Sequence, residues 1–172
     1  MKRDYFDIEK NCIITLPYPK VTIKEKNIEY ANLLKKCYSG LYSELTLLNQ
    51  YNYQQLFLEE TLKNIFKKIA TVEMNHLNII GELIISLGGN PSTNTKRKNK
   101  TYYWTSKVIK KYTNLKEILE YNIKSEEEII KEYRKLAIKI NNENIITIIN
   151  RIILDEELHI KIFKTIYKNE LY

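Results

Sequence analysis

The sequence predicts an all-α protein, an antiparallel four-helix bundle with a long crossover between helices two and three and an extended N-terminal arm. Three observations lead there. Only 4 glycines and 3 prolines occur in 172 residues, so few positions interrupt a helix. Apolar residues recur at helical spacing over long stretches. The two halves of the periodic region also repeat one another, as a duplicated helical hairpin would.

Residues 1–28, which contain Pro17 and Pro19, read as the arm, with a short β-like run from Cys12 to Leu16. Helix one opens near Glu29 and continues to about residue 57, carrying Cys37, Leu41, Glu44, Leu48, Tyr51, Gln55 and Leu58 on one face. After a turn at Glu59-Glu60-Thr61, helix two presents Phe66, Ile69, Glu73, His76, Leu77, Ile80, Ile84 and Leu87. Gly88-Gly89-Asn90-Pro91 stops it, because glycine takes up the left-handed cap and proline cannot extend a helix.

The connection over residues 88–114 is polar and long, as a crossover running the length of a bundle must be. Within it, Lys96-Arg97-Lys98-Asn99-Lys100 reads as a solvated loop, and Tyr102-Tyr103-Trp104 as an anchor against the bundle. Asn114 with Glu117 resembles a capping box opening helix three, whose stripe is Leu119, Ile123, Glu126, Ile130, Tyr133, Ala137 and Ile140. Asn141-Asn142 makes a turn into helix four, with Ile145, Ile149, Ile152, Glu156, His159, Ile160, Phe163 and Tyr167. The bundle domain therefore spans 29–172. Glu44 precedes Glu73 by 29 residues and Glu126 precedes Glu156 by 30, while Tyr51 and Tyr133 each follow their glutamate by 7.

A net charge of +7 is spread over lysines on the solvent faces, so no nucleic-acid partner is expected. No apolar run is long enough for a membrane span, and residues 1–11 have no signal-peptide core, which points to a cytoplasmic protein. Cys12 and Cys37 stand apart, so neither a disulfide framework nor a cysteine-ligated metal module is encoded.

The only two histidines each follow a glutamate by three residues, in Glu73-Met74-Asn75-His76 and Glu156-Glu157-Leu158-His159. That spacing puts imidazole and carboxylate on one helical face. Glu44, Glu73, His76, Glu126, Glu156 and His159 all fall within stripes that should form the core. Buried unpaired carboxylates are costly, and no lysine or arginine shares those stripes near them. Two divalent cations would balance four carboxylates, and four glutamates with two neutral histidines suit iron or manganese. Helical phase selects Glu126 over Glu127 and Glu128, and leaves Glu157 beside the stripe.

Ser43-Glu44-Leu45-Thr46-Leu47-Leu48-Asn49-Gln50-Tyr51 is similar to the first bundle helix of bacterioferritins, and Leu154-Asp155-Glu156-Glu157-Leu158-His159 resembles the fourth helix of bacterioferritins and rubrerythrins. The chain thus resembles the ferritin-like superfamily over about residues 30 to 168. The resemblance implies two iron ions, with manganese as an alternative, bridged by Glu73 and Glu156. Glu44 with His76 and Glu126 with His159 would be the terminal ligands. Tyr51 and Tyr133 would donate hydrogen bonds to carboxylates or to bound peroxide. Met74 sits where bacterioferritins place a haem ligand, but one methionine does not call for haem, and none is expected.

The implied function is a di-iron carboxylate oxidoreductase reducing hydrogen peroxide or dioxygen, by peroxidase or ferroxidase chemistry. Without a rubredoxin-like four-cysteine module it would need an external electron donor. A di-manganese catalase-like protein, an iron-storage protein and a structural or coat-type bundle are the alternatives. The chain ends with helix four, where cage-forming ferritins add a fifth, so a homodimer is expected rather than a shell.

Overall fold

The computed structural model describes residues 5–97 and 100–171. A short helix, α1 (Phe6–Lys10), is followed by coil, then α2 (Ile28–Ser39) and α3 (Glu44–Gln54). A 3-10 turn at Gln55–Phe57 leads into α4 (Glu60–Ser86). The crossover to α5 (Leu115–Lys139) carries a hairpin of β1 (Asn94–Arg97) and β2 (Lys100–Tyr103), and α6 (Glu143–Leu171) completes the bundle. α3 packs on α4, α5 on α6, and α2 on both α4 and α5, so α2 with α3 forms one wall and the other three helices one wall each.

Helix one, expected to run unbroken, is interrupted at residues 40–43. Ser43 is the cause: its side chain accepts from the Thr46 backbone N–H and caps α3. The Ser43 and Thr46 hydroxyls both donate to the Gly40 carbonyl, at 2.9 Å each, so the end of α2 is satisfied without a continuing helix. Leu41, placed in the apolar stripe by periodicity, is 56% exposed in the break. Glu44 becomes the first residue of α3, and it is still fully buried.

Three further expectations change. Cys12 to Leu16 forms no strand; this segment is coil whose backbone bonds to side chains of α6. The crossover, expected to carry a solvated loop at Lys96 to Lys100, has strands there instead, since β1 and β2 pair antiparallel with Asn94 opposite Tyr103. Of the basic run, Lys98 and Asn99 lie outside the described residues, and Lys96 and Lys100 are exposed on the hairpin. Of Tyr102-Tyr103-Trp104, both tyrosines are exposed and only Trp104 reaches the bundle, donating from Nε1 to Thr46 Oγ1 at 3.0 Å.

The predicted stops and starts otherwise match the backbone. Gly88 adopts φ +83°, and the Gly88 and Gly89 amides close the end of α4 on the Ile85 and Ile84 carbonyls, both at 2.8 Å. Asn114 Oδ1 accepts from the Lys116 and Glu117 amides at the start of α5. Layers of isoleucine, including Ile65, Ile69, Ile80 and Ile84 on α4 and Ile145, Ile148, Ile149 and Ile152 on α6, are fully buried. Each contributes about 2 kcal/mol, which offsets the cost of the polar layer between them.

A Cβ at Gly89 would stand 2.6 Å from the Ala31 Cβ, within overlap of α2, whereas at Gly88 the obstacle is the left-handed backbone. Gly88→Ala should therefore cost about 1 kcal/mol. Gly89→Ala should cost more, because α2 must move away from α4. Urea denaturation of the two variants checks the order.

Candidate metal centre

The helical register carries all six predicted groups to one level of the bundle. Glu44 opens α3, Glu73 and His76 lie one turn apart on α4, Glu126 projects from α5, and Glu156 and His159 lie one turn apart on α6. Every one is 0% exposed. They form two overlapping groups, Glu44, Glu73, His76 and Glu156, and Glu73, Glu126, Glu156 and His159; within each, one donor atom per residue lies within 4.8 Å of the others.

Glu73 and Glu156 belong to both groups, and each turns one oxygen to each half. His76 Nδ1 lies 3.6 Å from Glu73 Oε2 and 3.0 Å from Glu156 Oε1. His159 Nδ1 lies 3.0 Å from Glu73 Oε1 and 3.1 Å from Glu156 Oε2. Glu44 Oε2 stands 3.4 Å from His76 Nδ1, and Glu126 Oε1 stands 3.4 Å from His159 Nδ1.

Of these approaches His159 Nδ1 with Glu156 Oε2 is a hydrogen bond, and most of the others are not. Glu44 Oε2, both oxygens of Glu73, His76 Nδ1, Glu126 Oε2 and Glu156 Oε1 are buried without a hydrogen-bond partner. Orphaned acceptors aimed at shared points in a dry interior are what a pair of cations would satisfy, so the donor set fits two metal ions. In the protein alone, protons take that part. Burial and the neighbouring Glu156 and Glu126 carboxylates push Glu73 well above the usual carboxylate range. Burial and Glu156 push Glu126 up to about 7. Glu156 falls to about 2 because the two imidazoles outweigh its burial. Burial opposes protonation of His76 and His159, but the surrounding carboxylates raise both well above the ordinary histidine range.

Tyr51 and Tyr133 brace the centre crosswise. Tyr51 Oη donates to Glu126 Oε1 at 2.5 Å, and Tyr133 Oη donates to Glu44 Oε1, so each hairpin's tyrosine holds the other hairpin's glutamate. Burial, and then the facing carboxylates, raise both phenols well above their usual range, so they remain donors. Phe66 and Phe163 pack against Tyr51 with ring centroids 6.1 and 5.6 Å away, walling this side with carbon.

Four contributors escaped the sequence reading. His76 Nε2 lies 3.2 Å from Asp155 Oδ2 and 3.0 Å from the Tyr18 hydroxyl, which itself donates to Asp155 Oδ2 at 2.5 Å. Arg151 Nη1 donates to the same oxygen at 2.6 Å. His159 Nε2 lies 3.2 Å from the Cys12 carbonyl. Asp155 falls to about 2, since hydrogen bonds from His76, Tyr18, the Ile14 amide and Arg151 outweigh its burial. Arg151, 3% exposed, corrects the expectation that no arginine shares the buried stripes. The signal was an Arg–Asp pair four residues apart within an isoleucine-rich helix.

The remaining residues fall outside the cluster. Glu127 pairs with Lys164 and Glu157 with Arg134 on the surface. Met74 is 45% exposed on α4. No helix among the described residues is long and apolar enough to cross a membrane.

Solved structures of ferritin-like proteins share this architecture. A manganese catalase from Anabaena, KatB, superposes with a TM-score of 0.82 at 22% identity, covering 91% of this chain and 78% of that one. A ferritin-like diiron-carboxylate protein from Bacillus anthracis superposes with a TM-score of 0.65 at 26% identity, covering 80% and 94%. A dodecameric thioferritin from Bacteroides fragilis, described as bacterioferritin-related, gives 0.66 at 19% identity, covering 85% and 89%. No curated protein sequence matches the chain. The rubrerythrin family model matches residues 32–167, which hold all six clustered residues and both bracing tyrosines, and the chain belongs to the rubrerythrin family.

Proposed function

We propose that this protein is a two-metal oxidoreductase that reduces hydrogen peroxide or dioxygen, with two iron ions as its cofactor and an external electron donor. The observation that carries the reading is the sharing of Glu73 and Glu156 between two donor groups, each carboxylate offering one oxygen to either side. Glu44 and His76 would complete one ion's ligands, and Glu126 and His159 the other's. Two such ions, when bound, would supply together the two electrons that, with two protons, reduce one peroxide to two waters. The chain's own residues do the rest. The carboxylates would neutralise the ions, Tyr51 and Tyr133 hold Glu126 and Glu44 by hydrogen bonds, and the aromatic and isoleucine walls exclude bulk water.

A second reading keeps the same residues but holds manganese and disproportionates peroxide. It is favoured by the extent of the superposition on the Anabaena catalase. Oxygen and nitrogen donors serve either metal, so the ligand set does not choose between them. A homodimer is part of the proposal; self-association is supported by the dodecameric assembly of the Bacteroides protein.

Protein purified without chelator should contain about two iron or manganese ions per chain, as the paired donor groups require. Glu73→Gln and Glu156→Gln should each lose most of this metal in elemental analysis, while Glu127→Ala and Glu157→Ala retain it. Retention in the first two variants would remove the reading. The iron-loaded form should consume peroxide only with added reductant, and the manganese-loaded form should release dioxygen without one. An oxygen electrode and a peroxide assay on the two forms decide between the readings.

Protonation gives a further test. Glu73, Glu126 and both imidazoles are held above their ordinary pKa values, Glu126 at about 7, so the metal-free cluster carries protons at neutral pH. Metal must displace them, and affinity should rise with pH between about 6 and 8. For the metal-free fold the sign is opposite. It binds more protons than the unfolded chain, so its stability should fall as pH rises through that window. Calorimetric proton release and thermal melts at several pH values check both.

A further inference from the structure

His76 and His159 each turn Nδ1 to the carboxylates and Nε2 outward, to the N-terminal arm or to a group the arm holds. An imidazole that donates through Nε2–H keeps its lone pair on Nδ1, the atom facing the cluster. We infer that residues 12–18 are a strap that orients both histidines for metal, so that strap closure and metal loading are one coupled equilibrium. This rests on the two-metal reading above.

The two histidines are reached differently. Asp155, the residue before Glu156, accepts at the outer nitrogen of His76. The matching residue before Glu73 is Val72, buried and without an acceptor. Arg151 lies five residues before Glu156, and its counterpart before Glu73 is Lys68, which donates to the Glu9 carbonyl instead. The duplicated hairpins therefore provide an Asp–Arg pair for one histidine and none for the other. The Cys12 carbonyl of the arm stands in the missing place, 3.2 Å from His159 Nε2.

On the His76 side the strap is built in more deeply. Tyr18 sits between Pro17 and Pro19, whose rings restrict the backbone on either side of it. Its hydroxyl enters the His76–Asp155 pair, and its ring lies 4.3 Å from the Arg151 guanidinium. Arg151 also donates to the Leu16 and Ile14 carbonyls at 2.6 and 2.7 Å, and the Ile14 amide donates to Asp155 Oδ1 at 2.8 Å. Lifting the strap breaks these bonds together, leaving His159 without its outer partner and His76 held at Nε2 by Asp155 alone. By reciprocity, whatever metal gains from oriented imidazoles it returns as strap stability.

Tyr18→Phe keeps the ring over Arg151 and removes only the hydroxyl. Mn(II) binding to this variant should weaken by about tenfold, the size of effect seen when a partner of a ligating histidine is lost. In the wild-type chain, deuterium exchange of the amides at 12–18 should slow when Mn(II) is added, and the slowing should shrink in Tyr18→Phe. The wild-type exchange measurement needs no variant and decides the matter if Tyr18→Phe folds poorly. Equal Mn(II) affinity in the two proteins, with strap exchange indifferent to metal, would overturn the coupling while leaving the two-metal reading intact. A wild-type chain that binds neither Mn(II) nor Fe(II) would overturn both.

Discussion

Four carboxylates share a layer from which water is excluded, and the rest of the structure answers to that fact. Separately buried, each would demand several kcal/mol. Together they make a field strong enough to hold protons on imidazoles that burial alone would strip. The isoleucine layers above and below give the bundle the stability to carry such a stratum. The phenols that cross from one hairpin to the other keep Glu44 and Glu126 from relaxing toward hydrogen bonds of their own. A protein that needed only a stable bundle would have no use for any of this. Apolar residues of like volume pack at lower cost.

The symmetry of the inner groups and the asymmetry of the outer ones have different origins. The repeated glutamate, histidine and tyrosine positions of the two hairpins all meet at the shared cluster. Positions one turn further out face different surroundings in each half, and there the halves have diverged: Asp155 and Arg151 in one, Val72 and Lys68 in the other. The arm is not duplicated. It meets one half with a side chain, Tyr18, and the other with a backbone carbonyl, that of Cys12.

What could be read from the sequence follows the same division. Helix periodicity is a local signal, and a glutamate or histidine that keeps step with isoleucine on a buried face betrays itself. The six clustered residues and the cap at Asn114 were legible on that basis. The break at Gly40 to Ser43 was hidden because Cys37, Leu41 and Glu44 keep helical spacing across it, although Ser43 carried a capping signal. Asp155 gave no signal of its own, since nothing local says that Arg151 turns inward to meet it. Tyr18 belongs to a segment with no period at all. Its place depends on contacts with residues 58 and 137 positions away, which no window along the chain contains.

The arm also sets an order of events during synthesis. Residues 12–18 leave the ribosome well before their partners Arg151, Asp155 and His159. Throughout translation the growing bundle lacks its last wall, and the arm has nothing to grip. The cluster, which takes Glu156 and His159 from α6, and the strap, which grips α6, can therefore form only once that helix has been made. The topology thus makes an N-proximal segment one of the last to be fitted, because the helix that it grips is the last wall of the bundle.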